Sequence, residues 1–404
     1  MKEVDYKRQL NRCVRCGSCK ALCPTYMEEL DETMGARGRL YILQAIEEKR
    51  LEPTTRASDK LFSCIQCGAC STLCPTGIDV AEAIYHGRTI LRKENRKRRF
   101  IGSLSRSSIK RIGLATSILR PIQKLLYPAL LRKGIVNPIP EIAPVPFRER
   151  FNVYKEGGKR IGRIAIFVGC SINYLYPSLG ESLLRVLLRL GYEVVVLKGE
   201  VCCGAPLRTF GFEEDAIKMA ERNIEVFEKV RAEAVVTMCP TCTVMLKMHY
   251  PEFLGKGIEN VLDINQFLLD RLPEAKVSKR VVTYFDPCHL RYGLNVTEEP
   301  RRILKAIDGI EYREMKNPPA CCGFGGFFSI NFRGLSNRIG DKLAGYISQT
   351  GPHVLATSCP GCMMHIEGAL QRIGSERRTK KSKDLLETPI EVMHMVEVIE
   401  EAIC

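Results

Sequence analysis

The stretch Cys13-Val14-Arg15-Cys16-Gly17-Ser18-Cys19-Lys20-Ala21-Leu22-Cys23-Pro24 decides how this chain is read. Its spacing, C-x2-C-x2-C-x3-C-P, returns at Cys64, Cys67, Cys70, Cys74 and Pro75. Two further sets share a different pattern. One is Cys170, the pair Cys202-Cys203, then Cys239 and Cys242. The other is Cys288, the pair Cys321-Cys322, then Cys359 and Cys362. The gaps are 31, 35 and 2 residues in the first of these sets and 32, 36 and 2 in the second. The four sets take eighteen of the nineteen cysteines, and only Cys404 is left without a role.

At 404 residues the chain is long enough for two or three domains, and 45% hydrophobic residues allow real cores. Met1 to Asn11 is charged and has no apolar h-region, so no signal peptide is expected. The longest clean apolar runs, Ile164 to Val168 and Val194 to Leu197, are strand-sized. None approaches the length needed to span a bilayer. The expectation is a cytoplasmic protein, with a peripheral place on the cytoplasmic face of a membrane as a further option. In that reducing compartment, cysteines at short fixed spacings mean metal or redox chemistry rather than disulfides. The charge is uneven. Between His86 and Pro140 stand fourteen lysines and arginines against one acid, Glu94, in a chain of net charge +15.

Residues 1–85 carry both four-cysteine runs. The segment between them, Gly35 to Arg50, places Leu40, Leu43 and Ile46 at helical spacing, which predicts an α-helical domain rather than a β-hairpin one. Residues 86–158 read as a basic, Pro-rich connector. Pro121 and Pro128 are expected to break any long helix there, and Pro138, Pro140, Pro144 and Pro146 to make an extended tract. The rest is an internal duplication, 159–275 and 276–404. Each half opens on an apolar run ending at a cysteine: Ile164 to Cys170, and Val281 to Cys288. Strands and helices then alternate, which predicts a parallel α/β sheet in each half. Ligand groups in such folds sit beyond the carboxyl ends of strands.

The four-cysteine runs suit [4Fe–4S] clusters of the bacterial ferredoxin type, in which the Pro-linked cysteine of each run ligates the other cluster. The expected sets are Cys13, Cys16, Cys19 and Cys74 on one cluster, and Cys64, Cys67, Cys70 and Cys23 on the other. Structural zinc is the competing reading, but zinc favours paired C-x2-C knuckles. The later sets each offer five thiolates. Adjacent Cys202-Cys203 and Cys321-Cys322 cannot both serve one iron in relaxed geometry but can bridge neighbouring irons. The glycine after each pair lets backbone approach closely. A cubane or zinc site with one spare cysteine is the alternative.

Both five-cysteine sets resemble the cysteine-rich CCG domains of the heterodisulfide reductase superfamily. That resemblance implies two further [4Fe–4S] clusters of non-cubane type on Cys170, Cys202, Cys203, Cys239 and Cys242, and on Cys288, Cys321, Cys322, Cys359 and Cys362. The whole-chain order resembles the iron–sulfur subunits of glycolate oxidase and glycerol-3-phosphate dehydrogenase, and the fused catalytic subunit of heterodisulfide reductase. Arg37-Gly38-Arg39-Leu40-Tyr41 resembles the first of these as well. Many glycolate-oxidase-type subunits have an incomplete first CCG set, whereas both are complete here.

Three histidines, His249, His289 and His365, stand near the cysteines as possible proton donors or as hydrogen-bonding neighbours. Gly323, Gly325 and Gly326 match no dinucleotide fingerprint, and no P-loop occurs. No catalytic residue is assigned. The chain offers no obvious flavin site, so the resemblance to hydroxyacid dehydrogenase complexes implies a separate FAD-linked flavoprotein. The expected function is an iron–sulfur electron-transfer subunit of a glycolate or D-lactate type dehydrogenase, passing electrons to a quinone, cytochrome or other carrier. The alternative is a disulfide reductase working at a CCG cluster. The basic connector lacks interleaved aromatics and reader motifs, which argues against nucleic acid and for an acidic partner or anionic membrane surface.

Overall fold

The computed structural model describes residues 3–132, 137–151, 153–154, 161–379 and 389–404. Residues 133–136, 152 and 155–158 of the expected connector therefore lie outside the described residues. The chain forms two compact units that share its length unevenly. One comprises Met1–Ile112, Gly204–Lys218 and Pro319–Gly340; the other comprises Gly113–Cys203, Met219–Pro318 and Asp341–Cys404.

The first unit is helical. Helix Ala36–Glu47 falls where the Leu40 and Leu43 spacing predicts it. Both leucines are buried with Tyr6, Leu61, Ile84 and Leu91, and Ile46 packs at the edge of this core. Thr54, Asp79 and Asn95 cap helices Thr55–Phe62, Val80–Leu91 and Arg96–Lys110, each side chain accepting from a backbone N–H of the first turn. The helices close tightly: a Cβ at Gly87 would stand 2.5 Å from a Leu43 methyl. The segments 204–218 and 319–340 are tied into this unit by buried charge and rings. Arg208 pairs with Glu82 and lies 4.2 Å over the Tyr85 ring. The Phe210 and Phe327 ring centroids are 3.9 Å apart.

The second unit holds two sheets. The first runs β1 (Val153–Tyr154), β3 (Tyr192–Val196), β2 (Gly162–Phe167), β4 (Ala234–Thr237), β5 (Val261–Asp263). All its pairs are parallel except β1 with β3. The second runs β7 (Asp308–Tyr312), β6 (Lys276–Phe285), β8 (Val354–Thr357), β9 (Glu391–His394), parallel throughout. The β3 and β4 strands are buried along their whole length, as expected for parallel strands covered on both faces. The two halves share one core and exchange helices in a matching way. Helix Pro177–Arg189 packs on Met395–Ile403, and helix Ile264–Leu268 packs on Glu298–Ala306. Polar groups also join them: Asn265 donates to Ser358 Oγ at 2.8 Å, and buried His394 reaches the Met238 carbonyl at 3.0 Å.

The prolines of the connector correct the sequence expectation. Helix Ile112–Arg132 runs unbroken through Pro121 and Pro128. Each proline removes one intrahelical donor, but this helix is largely exposed, so water can satisfy the carbonyls left over. After it, residues 137–146 form neither helix nor strand, with a bend at 144–145.

Candidate metal centres

The two four-cysteine runs build nearly identical loops. Arg15 and Gln66 take left-handed backbone at φ 56° and 66°, and Gly17 and Gly68 follow at 89° and 80°. Two left-handed positions in close succession wrap each loop around a common point, and a non-glycine residue at the first position is uncommon. Cys23, Cys64, Cys67 and Cys70 line one cavity together with Arg39 and Ile65. Cys13, Cys16, Cys19 and Cys74 line another together with Arg15 and Arg37. Each run thus contributes three cysteines to one cavity and its Pro-linked fourth to the other.

The Arg37-Gly38-Arg39 motif serves both cavities. Arg37 is gripped by Glu32 at 2.6 and 2.9 Å and donates to the Arg15 carbonyl at 2.8 Å, which braces the first ligand loop. Arg39 is buried and donates to the Lys60 carbonyl, Thr25 and Ser63 at 2.8, 3.1 and 3.0 Å. Gly38 is obligatory: a Cβ there would stand 2.0 Å from the Glu32 carbonyl oxygen. A third cation, Arg88, is buried and donates to the carbonyls of Leu61, Phe62 and Cys64. Burial pushes it down to about 10. Burial and neighbouring thiols push Cys70 well up, while Arg39 opposes that. Burial thus works against thiolate at Cys70, and the Arg39 guanidinium works for it.

In the first CCG half, Cys170 follows β2 in a short helix, and Cys239 caps helix Pro240–Val244 after β4. The thiols touch in sequence: Cys170 with Cys202, Cys202 with Cys203, Cys203 with Cys242, and Cys242 with Cys239. Donation from Cys202 and Cys242 lowers Cys203, and Cys242 rises in return. Backbone around this chain of sulfurs is held by residues that carry no sequence motif. Glu200 accepts from Val168 N and Gly169 N at 2.9 and 2.7 Å and pairs with Arg148 at 3.0 Å. Burial raises the Glu200 carboxyl against those donors. Asn223 donates to the Cys202 carbonyl at 3.2 Å and to Tyr250 Oη at 2.9 Å, and Tyr250 donates to the Cys203 carbonyl at 3.1 Å. Gly169, at φ +68°, leaves room for sulfur, since a Cβ would meet Cys242 Sγ at 3.0 Å.

The two Cys-Cys-Gly corners are alike. Gly204 and Gly323 both sit at φ +91°. A Cβ on either would press on the following helix, at Ala216 or at Ile339 and Ser336. Ser336 closes the second corner by donating to the Gly323 carbonyl at 2.7 Å. Cys321 and Cys322 are buried within the first unit, where Gly325 approaches Ile65 of the second ligand loop. Cys288, Cys359 and Cys362 belong to the second unit, Cys288 after β6 and the other two at the start of helix Pro360–Thr379.

The histidines differ in placement. His289, next to Cys288, hydrogen-bonds Thr241 between Cys239 and Cys242 at 2.8 Å, so it joins the two halves beside a cysteine pair. His249 instead faces Glu252 at 3.2 Å, and His365 is buried.

A 4Fe-4S dicluster domain matches residues 9–78, and the CCG cysteine-rich domain matches twice, over 164–247 and 282–367. The chain is 32% identical to a fumarate reductase (CoM/CoB) subunit of Methanothermobacter marburgensis, over 93% of this chain and 71% of that one. It is 27% identical to the probable glycolate oxidase iron-sulfur subunit of Bacillus subtilis, over 92% of each. It is also 27% identical to a subunit of the dihydromethanophenazine:CoB–CoM heterodisulfide reductase of Methanosarcina barkeri, over 98% and 94%. A crystal structure of a hypothetical protein from Helicobacter pylori shares the fold, with a TM-score of 0.61 at 11% identity over all of this chain and 73% of that one. Eighteen cysteines in these two kinds of loop, matched over nearly the full length, place the chain in the CCG-domain iron–sulfur family of the heterodisulfide reductase superfamily, as an oxidoreductase subunit.

Proposed function

We propose that the chain is the electron-relay subunit of a flavin-dependent 2-hydroxyacid dehydrogenase of the glycolate or D-lactate type. The observation that carries this reading is the pair of crossed four-cysteine cavities, together with a third site of five touching thiols. Such donor sets fit iron–sulfur clusters, which take up and release single electrons when bound. Cys13, Cys16, Cys19 and Cys74 would hold one cubane cluster, and Cys23, Cys64, Cys67 and Cys70 the other. Cys170, Cys202, Cys203, Cys239 and Cys242 would hold a non-cubane cluster, and Cys288, Cys321, Cys322, Cys359 and Cys362 a second one. The functional modules would be 1–85, 159–275 and 276–404, joined by 86–158.

The surrounding residues each have a task in this reading. Arg37, Arg39 and Arg88 stabilise the negative charge of cluster and thiolates. Glu200, Asn223 and Tyr250 fix the backbone that presents the doubled cysteines. A partner flavoprotein would oxidise the substrate, and a quinone or other carrier at a membrane face would take the electrons. The test is reconstitution. With an FAD-linked dehydrogenase, the chain should couple glycolate or lactate oxidation to dye reduction; alone, it should do neither. Substrate oxidation by the chain alone would refute the relay.

A second reading rests on the completeness of both CCG cysteine sets and on the similarity to a heterodisulfide reductase subunit. The chain would then cleave a disulfide with electrons delivered from the cubane clusters. Robust disulfide reduction by the isolated chain, fed by an artificial donor, would favour it.

A further inference from the structure

Helix Ile112–Arg132 turns a broad apolar face to solvent. Leu114, Ile118, Ile122 and Leu125 fall on one stripe at helical spacing, and Leu119 and Leu126 lie beside it. All six are exposed, Leu125 to 78%. The opposite face is already occupied within the second unit. Gln123 donates to the Pro140 carbonyl and accepts from Ile142 N, both at 2.8 Å. Soluble chains rarely leave so much contiguous apolar surface uncovered without a use.

The charges around this face have one sign. No acid occurs from Asn95 to Pro140, while Arg111, Arg120 and Lys124 lie on or beside the helix. Among the described residues Glu141 pairs with Arg120 and Lys124, at 3.9 and 3.1 Å. A second copy of the chain would bring two such basic segments together and be repelled. An apolar stripe on a helix whose opposite, polar face carries basic side chains matches a helix lying in a bilayer interface. No helix among the described residues is long and apolar enough to cross a membrane, so contact would be from one side.

We infer that helix Ile112–Arg132 docks the protein onto an anionic lipid surface, with Leu114, Ile118, Ile122 and Leu125 sunk to the acyl boundary. This deepens the membrane-face reading above and rests on it. The helix, rather than the basic run alone, is the contact. Arg98 within that run is unsuited to the task, being buried against the Phe62 ring and paired with Asp59 at 2.6 Å.

The test is flotation of the iron-loaded full chain with phosphatidylcholine vesicles, with or without added phosphatidylglycerol. The wild type should float with the anionic vesicles only. The double variant Ile118→Glu/Leu125→Glu should lose binding by about tenfold, with unchanged iron content and thermal unfolding, since both side chains face solvent. Ile161→Glu, at another exposed apolar residue, should bind normally. Binding that survives the double variant but fails in Arg96→Gln/Arg99→Gln would overturn the helix contact and leave the membrane reading standing. No binding to either vesicle would overturn both. Equal binding to phosphatidylcholine alone would overturn the anionic assignment. Self-association abolished by Leu125→Glu, without vesicle binding, would assign the face to a second copy instead.

Discussion

The cysteine cavities of the first unit and the five-thiol site of the second answer the same electrostatic problem differently. The first two are furnished with cations: Arg37, Arg39 and Arg88 approach or brace the ligand loops. The third has a buried ion pair, Glu200 with Arg148, fixing the loop before Cys170, and neutral donors, Asn223 and Tyr250, fixing the doubled cysteines. Cations near a cluster favour its reduced, more negative form, whereas a closed ion pair and neutral clamps set geometry with little net charge. The difference points to relays tuned by charge in the first unit and a site tuned by shape in the second.

The largest test of this contrast removes ligands. Loaded protein should hold about sixteen irons, four per site. Cys23→Ala should cost about four of them and disturb the site of Cys64, Cys67 and Cys70, not that of Cys13, Cys16 and Cys19. Cys202→Ser should cost about four irons from the CCG site alone, with the ferredoxin-type spectra intact. If Cys202→Ser keeps full iron and unchanged spectra, the site has a spare cysteine and the contrast collapses to one of ordinary cubanes.

The seam between the CCG halves should respond to acid. Burial holds His394 down to about 4; its Nδ1 accepts from Val396 N, which leaves Nε2–H to donate to the Met238 carbonyl. Between that value and the ordinary histidine range the unfolded chain binds a proton that the folded one refuses. Its contribution to stability is therefore full above the ordinary histidine value and is lost as pH drops through this window, by about 3 kcal/mol. Asp263 acts in the opposite sense. Burial raises it to about 7, so its contribution is present in acid and is lost as pH rises toward 7. The two contributions offset over the shared window, so thermal unfolding should show His394→Gln gaining stability relative to the wild type as pH falls, and a difference that does not change with pH would place the sensitivity elsewhere.

Smaller effects separate clamp from charge. Tyr250→Phe removes one donor to the Cys203 carbonyl and should lower stability by about 1 kcal/mol, while altering the CCG spectrum more than the ferredoxin-type ones. Arg39→Gln should lower the potential of the neighbouring cluster by about 50 mV, or about 1 kcal/mol for one electron. Redox titration that finds no shift, or a shift in the CCG signal, would break the division of labour.

The cysteine spacing alone was enough to foresee both kinds of loop; periodic leucines and short apolar runs foretold the helix over Leu40 and Leu43 and the strands ending near Cys170, Cys239, Cys288 and Cys359. All of these are local signals. Asn223 and Tyr250 were not legible, because each meets the Cys202-Cys203 backbone across twenty or more residues with no motif of its own. The role of Gly38 depends on the Glu32 carbonyl, which only the fold brings near. Pro121 and Pro128 misled because on this exposed helix water can satisfy the carbonyls they free, which removes one part of a proline's cost.

The exchange of Pro-linked cysteines has a consequence for biogenesis. Cys74 lines the cavity of the first run, and Cys23 lines that of the second. If each cavity holds a cluster as proposed, the first three thiols wait, during synthesis, until the second run has left the ribosome and folded back. Neither cavity can be finished before the other is within reach. Metal loading of this region should then be concerted, with half-loaded chains rare.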